Sequence, residues 1–135
     1  MVAYSFQHQF IDPIVAGTKR QTIRRVGKRS HARPGNELQL YYAMRTKHCR
    51  LIGRVRCVLA REVRIEFSPC VNVDTTRIML LALPGVAPEI ITDRDEFARA
   101  DGFESWGDMR EFWALNHPDV EEFHGVLIQW EALSQ

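Results

Sequence analysis

The densest run of chemically capable side chains is Ala16-Gly17-Thr18-Lys19-Arg20-Gln21-Thr22-Ile23-Arg24-Arg25. It begins where a helix should end, at Gly17, and continues into a strand. In a regular strand Arg20, Thr22 and Arg24 share one face while Lys19 takes the other. Lys19 joins Thr22 only from an irregular turn, and Gly17 supplies one. Lys19, Thr22 and Arg24 can therefore converge. Together they offer a hydroxyl nucleophile, an amine that becomes a base when desolvated, and a fixed cation for a phosphate or oxyanion. A basic edge strand with solvated side chains would carry the same residues.

Other candidates are more scattered. His31 and Arg33, in a basic loop from Gly27 to Gly35, suit phosphate contacts, and so do Arg20 and Arg25. Tyr41 or Tyr42 could stack a base, with one of the two facing the core because strand neighbours point opposite ways. His8 could stand beside Lys19. Trp106, Trp113 and Trp130 read as core residues, and His124 as a turn residue before Gly125. The three cysteines, Cys49, Cys57 and Cys70, contain no Cys-x-x-Cys pair, and a zinc site would have to borrow His48 or His31. They read as buried or strand-borne free thiols, and no metal or other cofactor is implied.

The elements that must position these groups follow from periodicity. Tyr4, Phe6, His8 and Phe10 alternate as a strand; Phe10, Ile11, Ile14 and Val15 then take helical spacing, with Pro13 in the first turn. Gln21 to Arg25 and Glu37 to Tyr42 read as strands. Arg50 to Glu66 alternates over a span long enough for a bent strand or a hairpin, with a bulge near Ala60–Arg61. Asn72 to Glu89, containing Val73, Ile78, Leu80 and Leu83, gives no clear period. Thr92 or Asp93 caps a helix through Ala100, with Glu96 near the capping-box position and Gly102 beyond its end. Ser105 caps a second helix, stopped by Pro118, and Val126 to Trp130 closes the chain as a strand. This order predicts an α+β fold built on a small curved mixed sheet or barrel with helices to one side.

Composition sets the outer bounds. With 135 residues, 45% hydrophobic and 26% charged, the chain has the size and apolar content of one packed domain, which excludes disordered and low-complexity classes. Its longest apolar run, Ile78 to Leu83, is far short of the roughly 20 residues of a membrane helix. No charged-then-apolar leader opens the sequence, so the expected setting is cytoplasmic, with no membrane partner. The net charge is +1, but it is segregated. Gly17 to Arg64 holds 14 of the 18 Lys and Arg residues against Glu37 and Glu62, whereas Glu89 to Glu131 holds 12 of the 17 acids against three arginines. The basic half is a footprint for a polyanion unless the acidic half lies across it.

Several spaced blocks resemble one known family. Phe10 to Arg24, with Gly17-x-Lys19-x-x-Thr22-x-Arg24, is similar to the signature of the ASCH domain, a relative of the PUA-like RNA-binding domains. Arg33-Pro34-Gly35-Asn36-x-Leu38, then Phe97-Ala98 with Asp101-Gly102-Phe103, then Phe123-x-Gly125-x-Leu127-Ile128-x-Trp130 follow in family order. Met44-Arg45-Thr46-Lys47 is worded like ASCH proteins of bacteria and phages. The resemblance implies a PUA-like mixed β-barrel with flanking helices, a cleft lined by the Gly-x-Lys motif, and RNA or a modified nucleoside as partner. Some family members are enzymes: one branch hydrolyses the amide of N4-acetylcytidine, and another member has been described as cutting single-stranded RNA. The branch that hydrolyses the amide uses the motif's Lys and Thr with a downstream Glu. Lys19 and Thr22 match; the carboxylate falls on Asp101, one methylene shorter, with Glu104 as the next acid.

Overall fold

The computed structural model describes residues 2–28, 30–69, 72–81 and 84–133; Cys70 and Leu83 lie outside them. In β1 (Val2–Phe6) Tyr4 and Phe6 are buried, as their alternation requires. The strand ends sooner than its pattern suggests. A 3-10 turn (His8–Phe10) redirects the chain into α1 (Ile11–Ala16), leaving His8 exposed. α1 stops at Gly17, whose φ of +83° is the left-handed conformation that glycine adopts without strain.

β2 (Gln21–Arg25), β3 (Glu37–Tyr42) and β4 (Arg50–Glu66) occupy their expected spans. The segment without a period contains β5 (Arg77–Leu80) and the two-residue β6 (Glu89–Ile90). Ile78, Met79 and Leu80 are all buried, so β5 has no polar face to alternate with. α2 (Arg94–Ala100) is capped by Asp93, whose carboxylate accepts from the Glu96 amide, and α3 (Trp106–Asn116) by Ser105, which accepts from the Asp108 amide. β7 (Glu122–Ala132) outruns its apolar pattern at both ends, because pairing with β4 holds its polar flanks. His124 is consequently a strand residue rather than a turn residue, bonded to Glu122 at 2.7 Å.

These strands form one mixed sheet that curls into a half-barrel, in an α+β fold. The order is β1-β3-β4-β5-β6, with β7 joining β4 to β2. β1 runs parallel to β3, and every other pairing is antiparallel. β7 is buried on both faces. Phe123 and Leu127 pack with Phe97, Met109 and Trp113 of the helices; Ile128 and Trp130 pack with Tyr4, Phe6, Leu38 and Leu40 inside the curl.

β4 serves both cores by changing phase. Val55 and Cys57 face the inner cluster, and beyond an irregularity between Cys57 and Leu59 it is Ala60 that does so, while Leu59, Val63 and Ile65 face the helices. The span is one bent strand and not a hairpin, and the bulge expected near Ala60–Arg61 lies instead between Cys57 and Leu59. Cys57 is buried on the strand, whereas Cys49 is exposed in the loop before it, so only one of these two thiols fits the expected setting.

One carboxylate, in the segment before β5, ties together the N-terminal ends of both helices. Asp74 accepts from Trp106 Nε1 at 2.6 Å and the Thr76 amide at 3.0 Å, and pairs with Arg94 at 3.1 Å. Among the described residues no helix is long and apolar enough to cross a membrane.

Candidate functional site

The half-barrel leaves a seam. β1 pairs with β3 and β2 pairs with β7, so the outer edges of β1 and β2 face each other without a ladder. Side chains bridge it instead. Arg24 Nη2 donates to the Ser5 carbonyl at 2.8 Å, and His31 Nε2 lies 2.9 Å from the Arg25 carbonyl. The Ala32 amide donates to the Tyr4 hydroxyl, which lies 3.1 Å from His31 Nδ1. The consistent assignment has Tyr4 donating to Nδ1 and Nε2–H donating to Arg25.

A cleft of about 280 Å³ opens along this seam. Phe6, Phe10, Phe112, Trp113 and Phe123 contribute aromatic lining; Lys19, Thr22, Arg24, Arg25, Asp101 and His117 contribute the charged and nucleophilic groups. Lys19, Thr22 and Asp101 are buried at 2%, 5% and 7% exposure, which makes theirs the deep end.

Lys19 arrives there because the chain folds back after α1. Its amide donates to the Pro13 carbonyl at 3.0 Å, and the next amide, of Arg20, donates to the Ala100 carbonyl at 2.8 Å. The Lys19 ammonium then caps the far end of α2. It donates to the Asp101 carbonyl at 2.6 Å and the Gln21 carbonyl at 2.8 Å, where the helix presents its negative end. Phe10 flanks the ammonium at 4.6 Å from the ring centroid.

α2 terminates in a Schellman arrangement: the Phe103 amide bonds the Ala98 carbonyl and the Gly102 amide bonds the Arg99 carbonyl. Gly102, at φ +98°, is required twice over, because a Cβ there would also lie 2.9 Å from Lys19 Cδ and 3.0 Å from Phe10. That turn aims Asp101 at Lys19, with Oδ1 3.9 Å from Nζ. Glu104 is exposed and takes no part in the cleft. Gln21, 1% exposed, donates to Asp101 Oδ1 and the Phe97 carbonyl at 3.4 Å each, and accepts from Gln129.

Burial governs the electrostatics. It pushes the Lys19 ammonium down from 10.5 to about 8, with Asp101 resisting and Arg24 assisting. Burial pushes Asp101 up from 3.8 to about 6, against the pull of Lys19, the Gln21 hydrogen bond and Arg24. Thr22 Oγ1 accepts from Arg24 Nε at 3.1 Å, so its own hydrogen remains available for another acceptor. Arg24 is sandwiched against Tyr4 and Phe6, 5.0 and 4.8 Å from their ring centroids.

The other expected residues are dispersed. Arg20 is exposed and opens onto a separate hollow with Glu89, Asp93 and Glu96. His31 engages both ring nitrogens in the seam, and Arg33 stands exposed on its loop, its amide bonded to Asn36. Tyr42 packs edge-on to His8, and Tyr41 bonds Gln39; both are half-buried, so neither is the core residue that alternation suggests, and neither Tyr42 nor His8 lines the cleft. All three tryptophans are buried. Of the basic half, Lys19, Arg61 and Arg64 pair with Asp101, Glu89 and Glu122, while Arg45, Lys47, Arg50, Arg54 and Arg56 stand exposed.

His117 and Gln21 were not singled out by the sequence reading. His117 had a usable signal: it falls four residues after Trp113, on the same helical face.

No family model, curated protein or solved structure matches this chain. Among the described residues no three His, Cys, Asp or Glu side chains gather as metal ligands.

Proposed function

We propose that this chain is an ASCH-type domain of PUA-like architecture that receives an RNA nucleotide or modified nucleoside in the seam cleft. The observation that carries the reading is the joining of aromatic lining to a buried Lys19–Thr22–Asp101 end in one cleft. Such a site suits a flat heteroaromatic ring whose exocyclic groups need donors and acceptors at fixed positions. The exposed arginines of the β3–β4 loop and β4 add a field that attracts a polyanion.

A second reading, hydrolysis, is favoured by the state of Thr22 and Lys19. Arg24 donates to Thr22 Oγ1 and would stabilise an alkoxide forming there, while burial makes the Lys19 ammonium give up its proton more readily than a surface lysine does. In amide hydrolysis Lys19 first gives up a proton to solvent; Thr22 Oγ1 then bonds to the acyl carbon as its proton passes to the neutral Lys19 amine. The C–N bond then breaks as the amine takes that proton, and water releases the acyl group from Thr22. Asp101 acts by holding the ammonium. The resting bonds of Lys19 run to carbonyls rather than to Thr22, so this route requires Lys19 to change partners on substrate binding.

The test is incubation with N4-acetylcytidine and, separately, with single-stranded RNA, using Lys19→Ala and Thr22→Val as controls. Cytidine release lost in both variants supports hydrolysis. RNA cleavage lost with Lys19→Ala but retained with Thr22→Val supports a ribonuclease. No turnover, with binding that weakens in Lys19→Ala, supports the binding domain. No binding of either compound overturns the nucleoside reading.

A further inference from the structure

The cleft has a second polar end that the deep cluster does not use. Arg25, the last residue of β2, and His117, which closes α3, both flank the Phe123 ring, at 5.3 Å from its centroid for the guanidinium carbon and 6.2 Å between ring centroids for the imidazole. Arg25 is exposed and His117 half-buried, and both line the cleft.

We propose that Arg25 and His117 form an anion subsite at the mouth of the cleft, which takes the phosphoryl group of a nucleotide whose base lies toward Lys19 and Thr22. This rests on the nucleoside reading of the deep end and goes further: it makes a phosphorylated compound, not a free nucleoside, the preferred ligand.

Three observations support it. First, the deep cations are already engaged, Lys19 on two carbonyls beside Asp101 and Arg24 on Thr22 and Ser5. An anion at that end would meet the Asp101 carboxylate. Second, among the described residues Arg25 has no carboxylate within ion-pair distance, and the His117 ring nitrogens accept or donate no hydrogen bond. Third, Arg25 supplies two parallel donors, the geometry that phosphate accepts in bidentate form, and the imidazole adds a third donor. Among the described residues the charged groups that share a cleft or hollow with His117 are Arg25 and Arg24 of β2, Lys19 before it and Asp101 after α2, and, in the adjoining hollow, Arg110 of α3 and Asp119. Of these Arg25 is the one whose charge bears on the ring. Burial, reinforced by Arg25, holds the imidazole below its ordinary 6.5. A dianion between them reverses the second influence.

The experiment has two stages. Inorganic phosphate is titrated at constant ionic strength while the His117 ring is followed by NMR. A saturable shift with a raised titration midpoint, absent in Arg25→Gln, is expected. Cytidine, cytidine 5′-monophosphate and the dinucleotide cytidylyl-cytidine are then compared by calorimetry. The monophosphate should bind about tenfold tighter than cytidine, and that ratio should fall toward one in Arg25→Gln and in His117→Gln. An equal gain with the dinucleotide assigns the subsite to an RNA chain; a gain confined to the monophosphate assigns it to a free nucleotide.

Phosphate that leaves His117 unmoved, or equal affinity for cytidine and its monophosphate in the parent protein, overturns the proposal. If phosphate moves His117 but no cytidine compound perturbs Lys19 or Thr22, the nucleoside reading fails while the anion subsite stands.

Discussion

Lys19 and Asp101 face each other with 3.9 Å between ammonium and carboxylate, yet the strong bond of the lysine is to the main-chain carbonyl of Asp101, at 2.6 Å. The side-chain charges are thus held near one another by the backbone. No direct hydrogen bond joins the ammonium to the carboxylate, and both have lost most of their water.

This arrangement predicts a pH profile. Folding lowers the Lys19 value from 10.5 to about 8, so the folded chain holds fewer protons between those limits and stability rises with pH across them. Folding raises the Asp101 value from 3.8 to about 6, so stability rises as pH falls from about 6 to 3.8. Between about 6 and 8 both groups are charged and buried, and the fold carries the desolvation of each. The double variant Lys19→Met/Asp101→Asn should match or exceed the parent in urea melts at pH 7. Lys19→Met alone should lose about 3 kcal/mol at pH 7 and recover part of it by pH 5, as the uncompensated carboxyl takes a proton. A flat difference between parent and double variant from pH 4 to 10 would contradict this account.

Gly102→Ala should destabilise by at least about 1 kcal/mol, since it adds both a left-handed strain and a clash with Lys19 and Phe10. Gly17→Ala meets open space, so it should carry the backbone cost alone. Thermal melts of the two alanine variants, with ligand binding measured beside them, separate the effects: only Gly102→Ala should disturb the cleft.

Asp74 tests the attachment of the helices. Burial would raise its carboxyl, but hydrogen bonds from Thr76 and Trp106 and the charge of Arg94 hold it at about 2. A depressed value means its contribution is complete above 3.8 and lost as pH falls toward 2. Asp74→Ala should cost about 2 to 4 kcal/mol at pH 7, because Trp106 Nε1 loses its acceptor and two arginines lose their anion. The difference from the parent should shrink below pH 3.

Arg24→Gln should weaken two things together. The Ser5 carbonyl loses a charged donor across the seam, worth about 1.5 to 3 kcal/mol, and Thr22 loses the group that orients its hydroxyl. Amide exchange at β1 and β2 should accelerate more than at β4 and β7. Equal acceleration throughout would mean that Arg24 does not close the seam.

The strands with one wet face were legible in the sequence. β3 alternates buried Leu38 and Leu40 with Glu37 and Gln39, and its limits follow directly from that. The caps of α2 and α3 were legible too, because Asp93 and Ser105 have few other reasons to stand before apolar runs. β5 was not, since three successive buried residues remove the period. The deep cluster was visible through its residue types, and the Gly102 turn explains why Asp101 rather than Glu104 meets Lys19. The seam was not visible. It depends on which strand edges stay unpaired, and that is decided by the curl of the whole sheet, not by any local pattern.

That curl gives Val58 an unusual status. It is the spare residue of β4: Cys57 stands opposite Trp130 and Leu59 opposite Gln129, with nothing left on β7 for Val58, which is 44% exposed. Elsewhere in the strand a one-residue deletion would turn every following side chain to the wrong side. Here it would leave each residue beside its present neighbour and remove only the kink. Val58 is therefore a shim, an extra residue taken up where β4 changes the core that it faces. Removing Val58 should change the roll of the sheet while leaving every β4–β7 neighbour in place.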